Sequence, residues 1–268
     1  MEIAKPAADN PSGPVRPIGS PKILRTYIDA AIFFAILGLI WEYSVEIFEI
    51  KPYLLPKLSA VFFSLFESSA LLWKHTLITL WEVVIGFAAA VVFGIAIAAG
   101  VFFVPIARRT VYPLVVAIQG VPKVALAPLI IVWFGYGLSS KVVMVFLFSV
   151  FPIVISTLGG LSSTPENLIE HFKALRAPPW FTFMRLRVPS ALPSFVDGCK
   201  VAIPLAVIGA VVGEFVGSAD GLGNLILAAT SSARTELVFA SIIMVTLLSL
   251  ILFAGAEILG KLVWWRAK

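Results

Sequence analysis

The sequence predicts an all-α membrane protein with six transmembrane helices, and three observations carry the prediction. Hydrophobic residues fill 60% of the 268 positions and charged residues only 13%, with a mean hydropathy of +1.01; a water-soluble domain of that composition would precipitate. Six apolar runs each reach or exceed the roughly 20 residues that a helix needs to cross about 30 Å of hydrocarbon. One stretch, residues 163–193, is the single long charged interruption in a chain that otherwise reads as hydrocarbon.

Taken in order, residues 1–24 are rich in Pro, Gly, Ala and Ser and hold no apolar run. That composition predicts a disordered cytoplasmic tail rather than a secretory signal peptide. Residues 25–268 then form one membrane domain. Its first span, 27–48, follows Lys22 and Arg25 and carries Trp41 and Tyr43 as an interfacial aromatic belt, with Asp29 at the boundary. The mixed segment 51–74, with Pro52, Pro56 and a surface helix over Leu58–Glu67, belongs outside the membrane. The remaining spans cover about 77–104, 111–134, 142–161, 191–215 and 237–264.

Basic residues set the orientation. With the N-terminus inside, the outer loops hold Lys51, Lys57, Lys74, Lys141 and Arg234, Lys123 and Lys200 lie within spans, and the other 13 of the 20 Lys and Arg fall on the cytoplasmic side. Both termini and the 163–190 loop are therefore expected in the cytoplasm of a multi-pass membrane protein. The net charge of +5 follows from the same loops, and nothing in the chain calls for nucleic acid. Cys199 is the one cysteine, which excludes an intramolecular disulfide and a cysteine-based cluster. His75 and His171 lie far apart without ligand-like neighbours, so no metal site is expected.

Within the charged stretch, Ser163 precedes Glu166 at capping-box spacing and Pro165 suits a first helical turn. Leu168, Phe172 and Leu175 make a narrow apolar stripe among Glu166, Glu170 and Lys173, and Pro178 with Pro179 stops the helix. A second short segment, Trp180 to Met184, leads through Arg185 and Arg187 to the next span. On these grounds the loop is either a presented amphipathic helix or an ordinary cytoplasmic loop with solvated charges.

Small residues recur every four positions at Gly86, Ala90, Gly94 and Ala98, and again at Gly209, Gly213 and Gly217. Such faces serve helix packing or a dimer seam, or reflect the ordinary composition of membrane helices. Polar groups inside spans weigh more, because they face protein or water. Gln119 and Lys123, flanked by Pro122 and Pro128, and Glu214 near the outer end of the fifth span are candidates to line a solute path. Trp133, in the adjoining segment VWFGYG, is taken with them. Lys123 equally suits a stabilising contact with a carboxylate or a freed carbonyl. Glu82 and Asp197 sit close to span ends and call for no function.

The segment EHFKALRA over 170–177, followed by VPSALP over 188–193, resembles the cytoplasmic EAA loop of permease subunits in binding-protein-dependent ABC importers. Glu170 matches the family glutamate, and Ala174, Leu175 and Ala177 match the small and apolar positions around its glycine. His171 and Phe172 stand at the usual alanines, and Arg176 replaces the glycine, which bears on the turn because arginine enters a left-handed conformation less readily. The segments PYLLPKLSAVFFSLF, QGVPKVALAPL, VWFGYGLSSK and AVIGAVVGEFVG with a following GLG are similar to the sulfonate, taurine and nitrate group of these permeases, which also has vitamin-precursor members.

The resemblance implies a type I ABC importer permease fold with a cytoplasmic coupling helix, in a bacterial-type plasma (inner) membrane. It further implies a second copy of the chain, a cytoplasmic ABC ATPase dimer that holds ATP and magnesium, and an extracytoplasmic solute-binding protein. Glu170, Lys173, Ala174, Leu175, Arg176, Ala177, Pro178, Pro179 and Trp180 would then form the ATPase-coupling surface. The chain itself would hold no cofactor and catalyse nothing. GAEILGK over 255–261 matches the start of a phosphate-binding loop, but Leu262 stands at the Ser/Thr position and the motif ends a membrane helix. A secondary ion-coupled carrier or a channel-like protein is the alternative, although no inverted halves are visible. The solute is open among sulfonates, taurine, nitrate or bicarbonate, and heterocyclic vitamin precursors.

Overall fold

The computed structural model describes residues 21–264, so the predicted tail lies outside it except for its last four residues. These are not tail but the first turn of α1 (Pro21–Ile47), where a proline at the helix start costs no hydrogen bond. The chain divides into two compact units, residues up to Leu58 and residues from Ser59 onward.

In the first unit the segment after α1 folds back on the helix end. The Trp41 indole N–H donates to Pro56 O at 3.1 Å, and Lys57 pairs with Glu46 at 3.2 Å. Trp41, expected at the membrane interface, thus also closes a turn.

The second unit is helical throughout its described residues. After α2 (Leu58–Glu67) come α3 (Ser69–Phe103), α4 (Pro105–Gln119), a 3-10 turn Lys123–Leu126, α5 (Ala127–Phe134) and α6 (Leu138–Ser162). There follow α7 (Glu166–Ala174), α8 (Pro179–Thr182), a π-helical turn Phe183–Arg187, α9 (Val188–Gly217), α10 (Leu222–Ser231) and α11 (Thr235–Trp264). Among the described residues four helical runs are long and apolar enough to cross a membrane: α3, α6, the continuous run from Pro179 to Gly217, and α11. At 27 residues α1 is long enough as well.

The third predicted span, 111–134, is not one helix. Gly120 and Pro122 interrupt it: Pro122 has no N–H and pushes Val121 out of the α region, so α4 closes on tight bonds from Gly120 N–H to Ala117 O and from Val121 N–H to Ile118 O, both 3.1 Å. The chain resumes as the 3-10 turn and α5, which ends at Gly135 with φ +78° and ψ 174°, a region open essentially to glycine alone. The sequence reading also missed α10, whose ten residues are too few for a span and which packs Leu222, Leu225 and Ala229 inward.

The interior is built around α6, half of whose apolar window is buried against 28% for α3 and 22% for α11. Small residues let the backbones approach. A Cβ at Gly86 would fall 2.5 Å from Val145 Cβ, one at Gly94 2.8 Å from Ile153 Cγ2, and one at Gly209 2.9 Å from Met144 O. The α3 stripe therefore packs against α6 within the chain, as do Gly209 and Gly213 of α9, while Gly217 meets Ile131 of α5.

The end of the bundle that carries 163–190 also holds the C-terminal end of α11, since Gly260 packs against Val196 eight residues into α9. Residues 255–261 are continuous helix, which no phosphate-binding loop is.

Candidate functional site

Two polar regions sit at opposite ends of α6, separated from Lys141 to Ser162 by about 32 Å of helix. The first is the charged loop. Its helix starts at Glu166 with Pro165 in the N-cap position, and no side chain caps it. The capping box read from the sequence does not form, because Ser163 instead donates to Gly160 O at 3.1 Å and finishes α6. Nor do the prolines stop α7. It ends earlier, in a Schellman turn in which Ala177 N–H reaches Phe172 O at 3.0 Å and Arg176 N–H reaches Lys173 O at 2.9 Å. That turn places Arg176 at φ +52°, the left-handed conformation that glycine adopts without penalty.

No residue of α7 is buried. Glu170, Lys173 and Ala174 lie on its exposed surface, and Arg176, Pro178 and Pro179 continue that surface, with Ala177 half-buried. Leu175 is 66% and Trp180 61% exposed. Leu175 stands out from the end of the bundle, and Trp180 does so with its ring packed on Phe183.

The loop is nevertheless firmly seated. Phe183 is buried, with its ring 5.8 Å from that of Trp180 and 4.6 Å from that of Phe103 at the end of α3. Arg187 donates to Leu161 O at 3.2 Å and lies 4.9 Å over the Phe102 ring. The π turn itself follows from sequence: Pro189 supplies no N–H, and the preceding donor, Val188 N–H, steps back five residues to Phe183 O. Loop position is thereby tied to the ends of α3 and α6.

The second region, at the far end, is a buried polar network that the sequence reading did not assemble. Lys141, counted there as an outer-loop lysine, lies in the first turn of α6, 6% exposed, and pairs with Glu82 of α3, which is 1% exposed. Its ammonium also donates to Ser218 Oγ at 2.9 Å. Glu82 thus has a structural role that its place near a span end did not suggest. The Glu214 carboxyl lies beside that of Glu82, fully enclosed, and accepts from Thr79 Oγ1 at 2.6 Å and from Gly223 N–H. Thr79 Oγ1 accepts Leu222 N–H at 2.9 Å, and His75 Nδ1 accepts Gly221 N–H at 2.9 Å. Gly221, at φ +105°, leaves no room for a Cβ beside Glu214.

This network fastens the turn between α9 and α10 onto α3. Glu214, a candidate path residue from the sequence, is fully buried here and holds this turn through its carboxyl. Beside it an open cavity of about 760 Å³ is lined by Tyr136, Gly137, Lys141, Glu82, Gly217 and Ser218. The signal that could have found the network is three ionisable residues, Glu82, Lys141 and Glu214, each within a few residues of the same end of its span.

Between the two regions lies the interrupted span. Lys123 makes no ion pair among the described residues; its ammonium sits over the rings of Phe148 and Phe151, 5.5 and 5.2 Å from their centroids. The alternative of a carboxylate partner is thereby replaced by two aromatic faces. Gln119 and Trp133 are exposed on the same discontinuous segment, Trp133 by 68%. Gln119, Lys123 and Trp133 thus come from one broken helix, and Glu214 does not join them.

Comparison with known proteins adds three findings. A family model described as the inner membrane component of binding-protein-dependent transport systems matches residues 90–265. The formylaminopyrimidine transport permease protein ThiX of Halalkalibacterium halodurans is 39% identical over 248 residues, 91% of this chain and 99% of its own, and a probable ABC transporter permease of Haemophilus influenzae is 34% identical over 87% of this chain and 96% of its own. Among solved structures, the inward-facing MetNI methionine ABC transporter superposes with a TM-score of 0.64 at 19% identity, over 74% of this chain and 98% of the matched one.

Proposed function

Because the chain belongs to the family of inner-membrane components of binding-protein-dependent transport systems, we propose that it forms the membrane path of an ATP-driven importer and is driven through the 163–190 loop. The observation that carries this reading is the pairing of an unburied helix, α7, with a rigid seat. Glu170, Lys173, Ala174 and Leu175, with Arg176, Ala177, Pro178, Pro179 and Trp180, offer a mixed charged and apolar surface, while Phe183 and Arg187 hold that surface against α3 and α6. A cytoplasmic ABC ATPase dimer gripping this surface would move helix ends directly. ATP and magnesium belong to that partner.

In this reading the loop and both termini face the cytoplasm, and the Glu82–Lys141–Glu214 end faces outward, toward an extracytoplasmic solute-binding protein. The counting rule strengthens once Lys141 leaves the outer-loop tally. A second copy of the chain completes the path, facing the broken span, where Trp133 and Tyr136 stand 68% and 83% exposed. Gln119, Lys123 and Trp133 line the path, and the two rings beside Lys123 favour a flat or anionic solute. The 39% identity to a formylaminopyrimidine permease over nearly its whole length favours a heterocyclic vitamin precursor over taurine, a sulfonate or nitrate.

Single-cysteine capture tests the docking. With Cys199 replaced by alanine and Leu175 by cysteine, a bifunctional thiol reagent should join the membrane subunit to its ATPase in membranes. Glu170→Ala or deletion of residues 175–179 should abolish co-purification of the ATPase while the chain still inserts. Undiminished co-purification from both variants would overturn the assignment.

A further inference from the structure

A pocket of about 430 Å³ opens at the loop end of the bundle, between the ends of α3 and α6 and the start of α9. Ile95 and Ala99, Thr157, Trp180, and Ala191 with Phe195 mark its walls, and the only side-chain oxygen or nitrogen atoms in the lining belong to Thr157 and Trp180. Thr157 is buried and its hydroxyl has no hydrogen-bond partner. Thr157 shares this with Ser64 and with Ser162 at the end of α6, whereas Thr76, Ser149, Ser190 and Ser241 each return the hydroxyl to the carbonyl four residues back. A buried hydroxyl without a partner is costly, and it marks a point where a bound molecule supplies an acceptor.

The levels of these groups describe the molecule. Thr157 lies five residues before the end of α6, about 7.5 Å along the axis, and Ile95 lies eight residues before the end of α3, about 12 Å. With the helix ends at the membrane surface and a headgroup layer of roughly 5–8 Å per side, Thr157 sits at the junction of polar layer and hydrocarbon and Ile95 lies within the hydrocarbon. Next in the chain to the lining residues Met184 and Val188, Arg185 lies 6.0 Å over the Phe181 ring, and Arg187 bonds Leu161 O, the carbonyl of a lining residue. Neither arginine pairs with a carboxylate among the described residues. Cations at the surface, one hydroxyl below them and an apolar slot deeper still match the order of groups in a phospholipid.

We propose that this pocket binds an anionic phospholipid of the leaflet on the loop side. One acyl chain lies against Ile95, Ala99 and Phe195, a glycerol-ester carbonyl accepts the Thr157 hydroxyl, and the phosphate meets Arg185 and Arg187. The test uses the full-length protein in phosphatidylcholine nanodiscs containing a trace of phosphatidylglycerol with a diazirine on its acyl chain. After illumination, labelled peptides are mapped by mass spectrometry. Label should concentrate on peptides containing Ile95 to Ala99 and Ala191 to Phe195, and added phosphatidylglycerol should displace it where phosphatidylcholine does not. Thr157→Val should lower labelling about fivefold, the weight of one hydrogen bond. Ala99→Phe, which fills the slot, should abolish it, and Arg185→Gln, which leaves the slot intact, should remove the preference for the anionic lipid. Label spread evenly over the lipid-facing helices, equal displacement by both lipids, or cross-links from these peptides to a second copy of the chain would each overturn the proposal.

Discussion

Replacing Lys141 by methionine isolates the polar network from the rest of the fold. The substitution keeps length and bulk but leaves Glu82 and Glu214, 1% and 0% exposed, side by side without the ammonium that pairs Glu82. Removing one partner of a buried ion pair costs about 3–5 kcal/mol, and the lost bond to Ser218 adds about 1 kcal/mol. At the roughly 2–4 °C per kcal/mol found for chains near this size, the unfolding midpoint in detergent should fall by about 8–24 °C. Glu82→Gln combined with Lys141→Met removes both charges and should recover most of the loss, since a buried pair is often replaceable by neutral groups of similar volume. Intrinsic-fluorescence melts of the two single variants and the double complete the cycle. A Lys141→Met midpoint within about 2 °C of the parent, or a double variant whose loss is the sum of the singles, would refute the assignment of this network as the fastening of the outer end.

Further outcomes follow from particular contacts. Arg176→Gly should stabilise the α7 turn by about 1 kcal/mol, read as slower amide exchange across 166–177, because glycine takes the left-handed conformation without strain. Gly221→Ala should cost roughly 3 kcal/mol or more, read as lost expression or a lowered midpoint, because its Cβ would overlap the Glu214 carboxyl at φ +105°. Lys123→Met should change stability by no more than about 2 kcal/mol, the range for a cation over aromatic rings, while altering uptake in proteoliposomes. An unaltered uptake rate would remove Lys123 from the path.

Much of this fold was legible because its signals are local. The helix Leu58–Glu67, though it buries Val61 rather than lying wholly at the surface, and the boundaries of the spans around α6, α9 and α11 follow from apolar runs and from residues that end them. The small-residue stripes were visible, but whether Gly86 and Gly94 meet α6 or another subunit is a question of tertiary packing that spacing alone leaves open. The third span misled because its hydropathy is continuous across Gly120 and Pro122, where backbone hydrogen bonding is not. Glu82 and Lys141 are 59 positions apart and Glu214 another 73, so their convergence appears only when three helices pack. In the loop, residue identities correctly marked a short helix with a tight stop. The particular devices, a Schellman turn at Arg176 in place of a proline stop and an uncapped start at Glu166, depended on hydrogen bonds that sequence spacing does not dictate.

The central claim, that the 163–190 loop passes work from a separate ATPase to this membrane path, is tested most directly by ATP hydrolysis in proteoliposomes containing the permease, its ATPase and the loaded binding protein. Deletion of residues 175–179 should reduce solute-stimulated hydrolysis to the unstimulated rate while Lys141-dependent thermal stability is retained. Full stimulation in that deletion variant would contradict the account.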